Sequence, residues 1–286
     1  MVRIAVLQMT SGLDRHANVA AVQQAARAAQ AQGAQMLFTP EMTSCVDRDR
    51  DRILRQALTE QDEPALSAFQ DLARETGLWL AIGSIPIKGG ADDRLRNRSY
   101  LIDDQGRIAA RYDKIHLFDI DLGGGESYCE SATYEGGQTA VLADSPLGPM
   151  GLTVCYDLRF PALYEQLALA GARVFAIPSA FTRKTGAAHW HTLLRARAIE
   201  GLSFVIAAAQ TGRHEDGRAT YGHSLVVDPW GRVLLDGGEA PGLHFVDLDL
   251  DELERARRTV ASLQHRRPFK LERPRVASAV GESGAA

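Results

Sequence analysis

Three side chains in this sequence combine into one chemistry. Cys155 stands in "GLTVCYDLRFP" directly after an apolar run, Glu41 directly follows "MLFTP", and Lys114 closes "RYDK". A thiol with the ordinary pKa of about 8.5 is mostly protonated at neutral pH and needs a base or a cation before it attacks anything. Glu41 is a carboxylate able to take that proton. Lys114 is an ammonium able to stabilise the thiolate and then the oxyanion of a tetrahedral intermediate. The backbone N–H of Tyr156 offers a second oxyanion donor, because the residue after a nucleophile on a tight strand-to-helix turn is placed for that role. Taken singly, Cys155 reads equally well as a small buried side chain, Glu41 as a capping or surface carboxylate, and Lys114 as a solvated cation. Their conjunction at strand ends points to acyl transfer.

Other chemistries fit less well. His116 lies two residues from Lys114 and would face the same way on a strand, so a Cys–His hydrolase competes with the Glu–Lys–Cys set. "HWH" at 189–191 resembles a metal pair, but positions i and i+2 of a helix face apart, so no metal is expected there. The sequence has no Cys-x-x-Cys, no Gly-x-Gly-x-x-Gly after the first strand and no Walker A run. Zinc, thioredoxin-like and nucleotide-binding readings therefore lack support.

The elements that would hold these residues alternate. "VRIAVLQ" reads as a strand, 14–32 as an alanine-rich helix stopped by Gly33, and "AQMLFTP" as a buried strand ending at Pro40. A helix follows over 65–76, stopped by Gly77, then a strand in "LWLAIGSIPI" and a hairpin over 96–114 turning at 104–106. "MGLTV" leads into Cys155. Helices are predicted over 161–170, 189–201 and 251–265, interleaved with strands in "ARVFAIPSAF", "SFVIAAAQ", "GHSLVVDPWGRVLLDGG" and "LHFVDLDL". Pro161 sits in the first turn of its helix, several residues past Cys155, so the helix dipole adds little at the thiol. "GAQMLFTPE" and "GARVFAIPS" echo each other, which suggests two similar αβ units within one α/β domain.

The chain has 286 residues, 45% of them hydrophobic and 24% charged, and a formal net charge of −4. This is an ordinary globular balance with no electrostatic case for nucleic acid or an anionic membrane. No stretch approaches the roughly 20 apolar residues a membrane span needs, and the N-terminus does not read as a signal peptide. The cysteines, Cys45, Cys129 and Cys155, are odd in number and widely spaced, which favours a reducing, cytoplasmic setting over a disulfide framework.

"FTPEMTSC", "RYDKIHLFD" and "GLTVCYDLRFP" resemble the three signature segments of the nitrilase superfamily, the carbon–nitrogen hydrolases. The resemblance runs from "RIAVLQMTSGLDRHANV" to "QHRRP", with motif order and spacing matching. Within the superfamily the chain is most similar to the amidase branch that contains deaminated glutathione amidase and ω-amidase, and "AAAQTGRH" and "ATYGHS" lean toward the former. The resemblance implies a single domain over 1–268 with a tail over 269–286. It implies an αββα sandwich with mixed sheets that pairs with a second copy into a four-layer homodimer. It further implies a triad of Glu41, Lys114 and Cys155, with Glu130 orienting the lysine or substrate. From the residues alone, Glu126, Glu130 and Glu135 share one acidic loop and none stands out. The implied activity is hydrolysis of a small ω-amide to acid plus ammonia through a thioester, with no cofactor. An ω-amidase acting on α-ketoglutaramate-like acids and a non-catalytic interaction protein of the same fold are the alternatives. The run at 123–125, three glycines, departs from the family pattern and leaves that loop's conformation open.

Such substrates carry carboxylates, which call for a fixed cation. Arg159 is the candidate nearest the nucleophile in sequence, with Arg183 and Lys184 as candidates for a distal carboxylate. The alternative for Arg159 is an ion pair with Asp157 inside the loop, and for the other two, solvation.

Overall fold

The computed structural model describes residues 1–273. Its strands and helices follow in chain order. They are β1 (Val2–Gln8), α1 (Arg15–Ala31), β2 (Met36–Phe38), α2 (Arg50–Gln56), α3 (Pro64–Thr76), β3 (Trp79–Lys88), β4 (Leu95–Ile102) and β5 (Ile108–Asp113). A short hairpin, β6 (Asp119–Asp121) and β7 (Ser127–Cys129), leads to β8 (Val141–Ala143), β9 (Met150–Leu152), α4 (Pro161–Leu169), β10 (Val174–Ala176), α5 (Arg183–Gly201) and β11 (Phe204–Ala207). A second hairpin, β12 (Thr211–Arg213) and β13 (Ala219–Tyr221), precedes β14 (Leu225–Val227), β15 (Val233–Asp236), β16 (Gly242–Leu248) and α6 (Leu250–Thr259).

Two six-stranded mixed sheets form, ordered β16-β1-β2-β3-β4-β5 and β8-β9-β10-β11-β14-β15. Both have the same sequence of pairings: antiparallel, parallel, parallel, antiparallel, antiparallel. The echoed segments "GAQMLFTPE" and "GARVFAIPS" supply β2 and β10, the equivalent central strands. In each, a helix ends at a left-handed glycine, Gly33 or Gly171. The next residue's N–H then returns to the helix, Ala34 to Ala29 O and Ala172 to Leu167 O, both 3.0 Å.

The layering follows from period two along buried strands. Ile4 and Val6 of β1, with Met36 and Phe38 of β2, face the second sheet and share a core with Val174 and Ile206. Ala5, Leu7 and Leu37 face the other way, onto Val22 and Ala26 of α1 and Phe69 and Leu72 of α3. The second sheet is covered on its far face by α4 and α5, whose Leu167, Trp190 and Leu194 belong to the first core. The result is the αββα sandwich, its central strands apolar throughout because both faces are buried.

The helix ends obey local chemistry. Asp14 caps α1 by accepting from His16 N at 2.8 Å, and α3 ends at Gly77 with φ 66°. Helix α5 begins six residues before the expected 189, because the Thr182 hydroxyl caps it by accepting from Thr185 N. Gly186 lets it start there: a Cβ at this position would lie 2.3 Å from Tyr221 Cγ. Helix α6 stops at Thr259 rather than 265, where Val260 turns extended. Helix α2 and the two short hairpins are additions to the sequence reading. Of the expected tail, residues 269–273 are exposed and irregular, and the rest lies outside the described residues. Among the described residues no helix is long and apolar enough to cross a membrane.

Candidate active site

Glu41 lies just past β2 and Lys114 just past β5, both in the first sheet, whereas Cys155 lies just past β9 in the second. The site therefore exists only where the two sheets meet. Cys155 has φ 51°, a left-handed conformation that costs a side-chain-bearing residue about 1–2 kcal/mol. Its N–H donates to Pro178 O at 2.9 Å, and it opens a short 3₁₀ turn over Cys155–Arg159. Asp157, fully buried, holds this elbow in place. Its carboxylate accepts from Val154 N (2.8 Å), Tyr112 Oη (2.7 Å) and His116 N (3.0 Å). Tyr156, second in the turn, has an N–H with no acceptor within the turn.

The charged groups interlock. Glu41 Oε1 accepts from Lys114 Nζ at 2.9 Å and from Asn97 Nδ2 at 3.0 Å, while Oε2 accepts from Ala180 N at 2.9 Å. Glu130 is the second carboxylate on the ammonium, at 2.8 Å from Oε2 and 3.1 Å from Oε1. It also accepts from Asn97 Nδ2 (3.1 Å) and Phe118 N (2.7 Å). Lys114 is 2% exposed. Burial alone would neutralise it, but the charges of Glu130 and Glu41 outweigh burial and hold its pKa well above the ordinary value. Burial likewise pushes the Glu41 carboxyl up, and Lys114, Cys155 and Asn97 together bring it below the ordinary value. The Cys155 thiol is pushed well up, first by burial and then by the Glu41 charge, against the pull of Lys114. The resting state is thus an ionised Glu41, a charged Lys114 and a protonated thiol: a base and its proton donor side by side.

His116 points away from this cluster. Its Nδ1 sits 2.7 Å from Asp157 Oδ1, and its ring stacks on Phe160 at 3.5 Å. The histidines of "HWH" diverge as helical spacing requires. His189 meets Arg159 at 3.2 Å, and His191 meets Asp236 at 3.0 Å.

Cys155, Glu41, Lys114, Glu130 and Tyr156 line one cavity of about 540 Å³. The guanidinium groups on its wall belong to Arg48, Arg50 and Arg218. Arg159 and Arg183 fall outside that lining. Arg159 lies over the rings of Tyr156 and Phe181 (5.8 and 5.4 Å) and makes no pair with Asp157. Arg183 faces Glu239 at 3.7 Å on the exposed start of α5, and Lys184 Nζ donates to Leu122 O at 2.5 Å. The three glycines at 123–125 all have positive φ (73°, 67° and 85°), so this loop has a backbone that other residues rarely adopt.

Asn97, which bridges the two carboxylates, was not singled out by sequence. Its signal was a polar residue at an inward position of β4, between Leu95 and Ser99, with Arg96 and Arg98 alternating outward. Asp157 entered the sequence reading only as a possible partner of Arg159, since Tyr112 and His116, which it holds, are 45 and 41 residues away.

Comparison with known proteins gives a consistent picture. The carbon–nitrogen hydrolase family profile matches residues 3–258. The deaminated glutathione amidase of Yersinia enterocolitica is 39% identical over 266 residues, covering 92% of each chain. That of Homo sapiens is 42% identical over 273 residues, covering 93% of this chain and 82% of the other. Among solved structures, the C. elegans NitFhit protein superposes with a TM-score of 0.87 at 38% identity, over 93% of this chain and 65% of that one. An amidase from Nesterenkonia sp. AN1 superposes with a TM-score of 0.76 at 31% identity, over 93% of this chain and 99% of that one. A mutant of that amidase shows Michael addition of acrylamide at the active site cysteine.

Proposed function

Because this chain belongs to the carbon–nitrogen hydrolase family and is a cysteine-dependent amidase of the nitrilase superfamily, we propose that Cys155 is its nucleophile, Glu41 its base and Lys114 its oxyanion-stabilising cation, with deaminated glutathione as the substrate. The observation that carries the reading is the shared carboxylate: Glu41 touches Lys114 and lies beside the Cys155 thiol on the cavity wall. As Cys155 Sγ bonds to the amide carbon, its proton passes to Glu41. The oxyanion forms between Lys114 Nζ and the Tyr156 N–H. Glu41 then gives the proton to the amide nitrogen, the C–N bond breaks and a thioester remains. Water, deprotonated by Glu41, attacks the thioester, the C–S bond breaks with its electron pair on sulfur, and the Glu41 proton returns to Cys155 Sγ as the acid is released. Glu130 and Asn97 act through Lys114 and Glu41, fixing their positions.

Deaminated glutathione is favoured by the relatives that bear that activity. Its leaving group is a cysteinyl amine, whereas a primary ω-amide such as α-ketoglutaramate releases ammonia. Product analysis over a panel of both kinds tests the choice: release of cysteinylglycine at a kcat/KM above that for α-ketoglutaramate supports it, and the reverse order favours an ω-amidase.

A homodimer through α4 and α5 is part of the same reading. Leu169 on α4, Ile199 on α5 and Trp230 beside it are large apolar side chains left exposed on one chain. Three unpaired cysteines support a reducing, cytoplasmic setting.

A further inference from the structure

The cavity wall carries four cations, Arg48, Arg50, Lys114 and Arg218, and four carboxylates, Glu41, Asp47, Glu126 and Glu130, equal in number but unevenly paired. Lys114 is held by Glu41 and Glu130. Asp47 is engaged by Arg52 at 2.6 and 2.7 Å, and the Arg50 Nε donates to Ala132 O at 2.9 Å. Glu126 accepts from Tyr128 Oη at 3.0 Å. Two guanidinium groups remain. Arg48 has no hydrogen bond or ion pair among the described residues. Arg218 is fixed at its inner edge, with Nε 2.6 Å from Asp216 Oδ2, and the Asp216 side chain is fully buried. Its two terminal nitrogens have no partner among the described residues, although four of a guanidinium's five N–H bonds are there.

The hairpin that carries Arg218 is built to be rigid. The Arg218 N–H donates to Asp216 Oδ1 at 2.9 Å, and Gly217 takes φ 89° to close the turn. Below it His214 is buried, bridging Ser11 O (2.9 Å) and Thr220 Oγ1 (2.8 Å). Arg48 lies against the same turn: a Cβ built on Gly217 would be 3.4 Å from Arg48 Nη2. Two cations therefore lie at one hairpin tip, and only Arg218 has a carboxylate partner there, Asp216. A second anion there would relieve their repulsion and meet a pre-oriented fork, the arrangement that suits a carboxylate.

We infer that Arg218, held by Asp216 with Arg48 beside it, forms an anion subsite in the cavity, the place taken by a substrate carboxylate remote from the scissile carbonyl. The inference rests on the amidase reading for the word "scissile", but the subsite itself can be tested without turnover. Glutarate, a dicarboxylate with no amide, is titrated calorimetrically into the wild-type protein and into Arg218→Met, Arg48→Met and Arg218→Lys. The expected result is binding to the wild type that weakens about 10- to 100-fold in Arg218→Met, and in the same direction in Arg48→Met, as loss of a charged hydrogen-bonding partner dictates. Arg218→Lys, which keeps the charge and loses the fork, should fall between. Glutarate binding Arg218→Met as tightly as the wild type, or failing to bind the wild type at millimolar concentration, would overturn the subsite. If Arg218→Met does not fold, the exposed Arg48→Met decides alone. Glutarate binding that follows Arg218, in an enzyme that leaves deaminated glutathione intact, would keep the subsite and remove the proposed substrate.

Discussion

Lys114 and Glu130 form a buried ion pair, Nζ to Oε2 at 2.8 Å, next to the pair that Lys114 makes with Glu41. One lysine is thus clamped between two carboxylates, and the pair fixes its charge as well as its place. Glu130→Gln should lower kcat by roughly 10- to 100-fold, the scale of one misplaced electrostatic donor. It should also move the alkaline limb of the pH–rate profile down, because Glu130 is the largest charge holding the Lys114 pKa up. Steady-state kinetics across pH check both. An unchanged alkaline limb would mean that Glu130 only shapes the loop.

The histidine competitor makes a different prediction. His116 is occupied by Asp157 and Phe160, so His116→Ala should lower the melting temperature while turnover persists. Lys114→Ala should cost at least about 100-fold in kcat. Melting curves and kcat for the two variants, measured side by side, settle the assignment. A collapse of turnover on losing His116, with a mild effect at Lys114, would reverse it.

The pH dependence follows from the direction of each shift. Glu41 has a folded pKa below its ordinary value of about 4.3, so its contribution to stability is present above that value and is lost as pH falls through the lower folded pKa. Lys114 has a folded pKa above about 10.4, so its contribution is present below that value and is lost as pH rises through the higher folded pKa. Neither group titrates between them. Alkylation of Cys155 by iodoacetamide should keep rising past pH 8.5, because the thiol is pushed up by burial and Glu41. Glu41→Gln should bring that rise to lower pH. A rise at the same pH in both proteins would contradict the coupling.

The assembly is tested by light scattering at micromolar concentration. At least two chains are expected, and Ile199→Glu, placing a charge on the exposed face of α5, should yield single chains of about 31 kDa. A wild type that scatters as one chain would exclude the homodimer.

Much of this was legible in the sequence for identifiable reasons. Buried parallel strands are short apolar runs, opened by Gly-Ala and closed by proline in β2 and β10, so β2, β9 and β10 were placed along with the residues that follow them. Glu41, Lys114 and Cys155 were legible because each sits one to three residues past a strand. What was not legible depends on distance along the chain. Asn97 bridges two carboxylates that lie 56 residues before it and 33 after it. Arg159 was nearer to Cys155 in sequence than Arg218, yet the short turn carries it behind Tyr156 while the β12–β13 hairpin brings Arg218 to the cavity. The early start of α5 hid behind Gly186, whose value lies in contact with Tyr221 rather than in helix propensity.

The central claim is that Cys155 carries the acyl group. The direct measurement is mass spectrometry of the protein quenched in acid during turnover of an amide substrate, with the adduct mapped by peptide. The account predicts one acyl group per chain, on Cys155 and on neither Cys45, whose thiol is buried and pushed up to about 11, nor Cys129. It also predicts that Cys155→Ala folds but neither turns over nor acquires the adduct. An adduct on another residue, or turnover retained in Cys155→Ala, would contradict it.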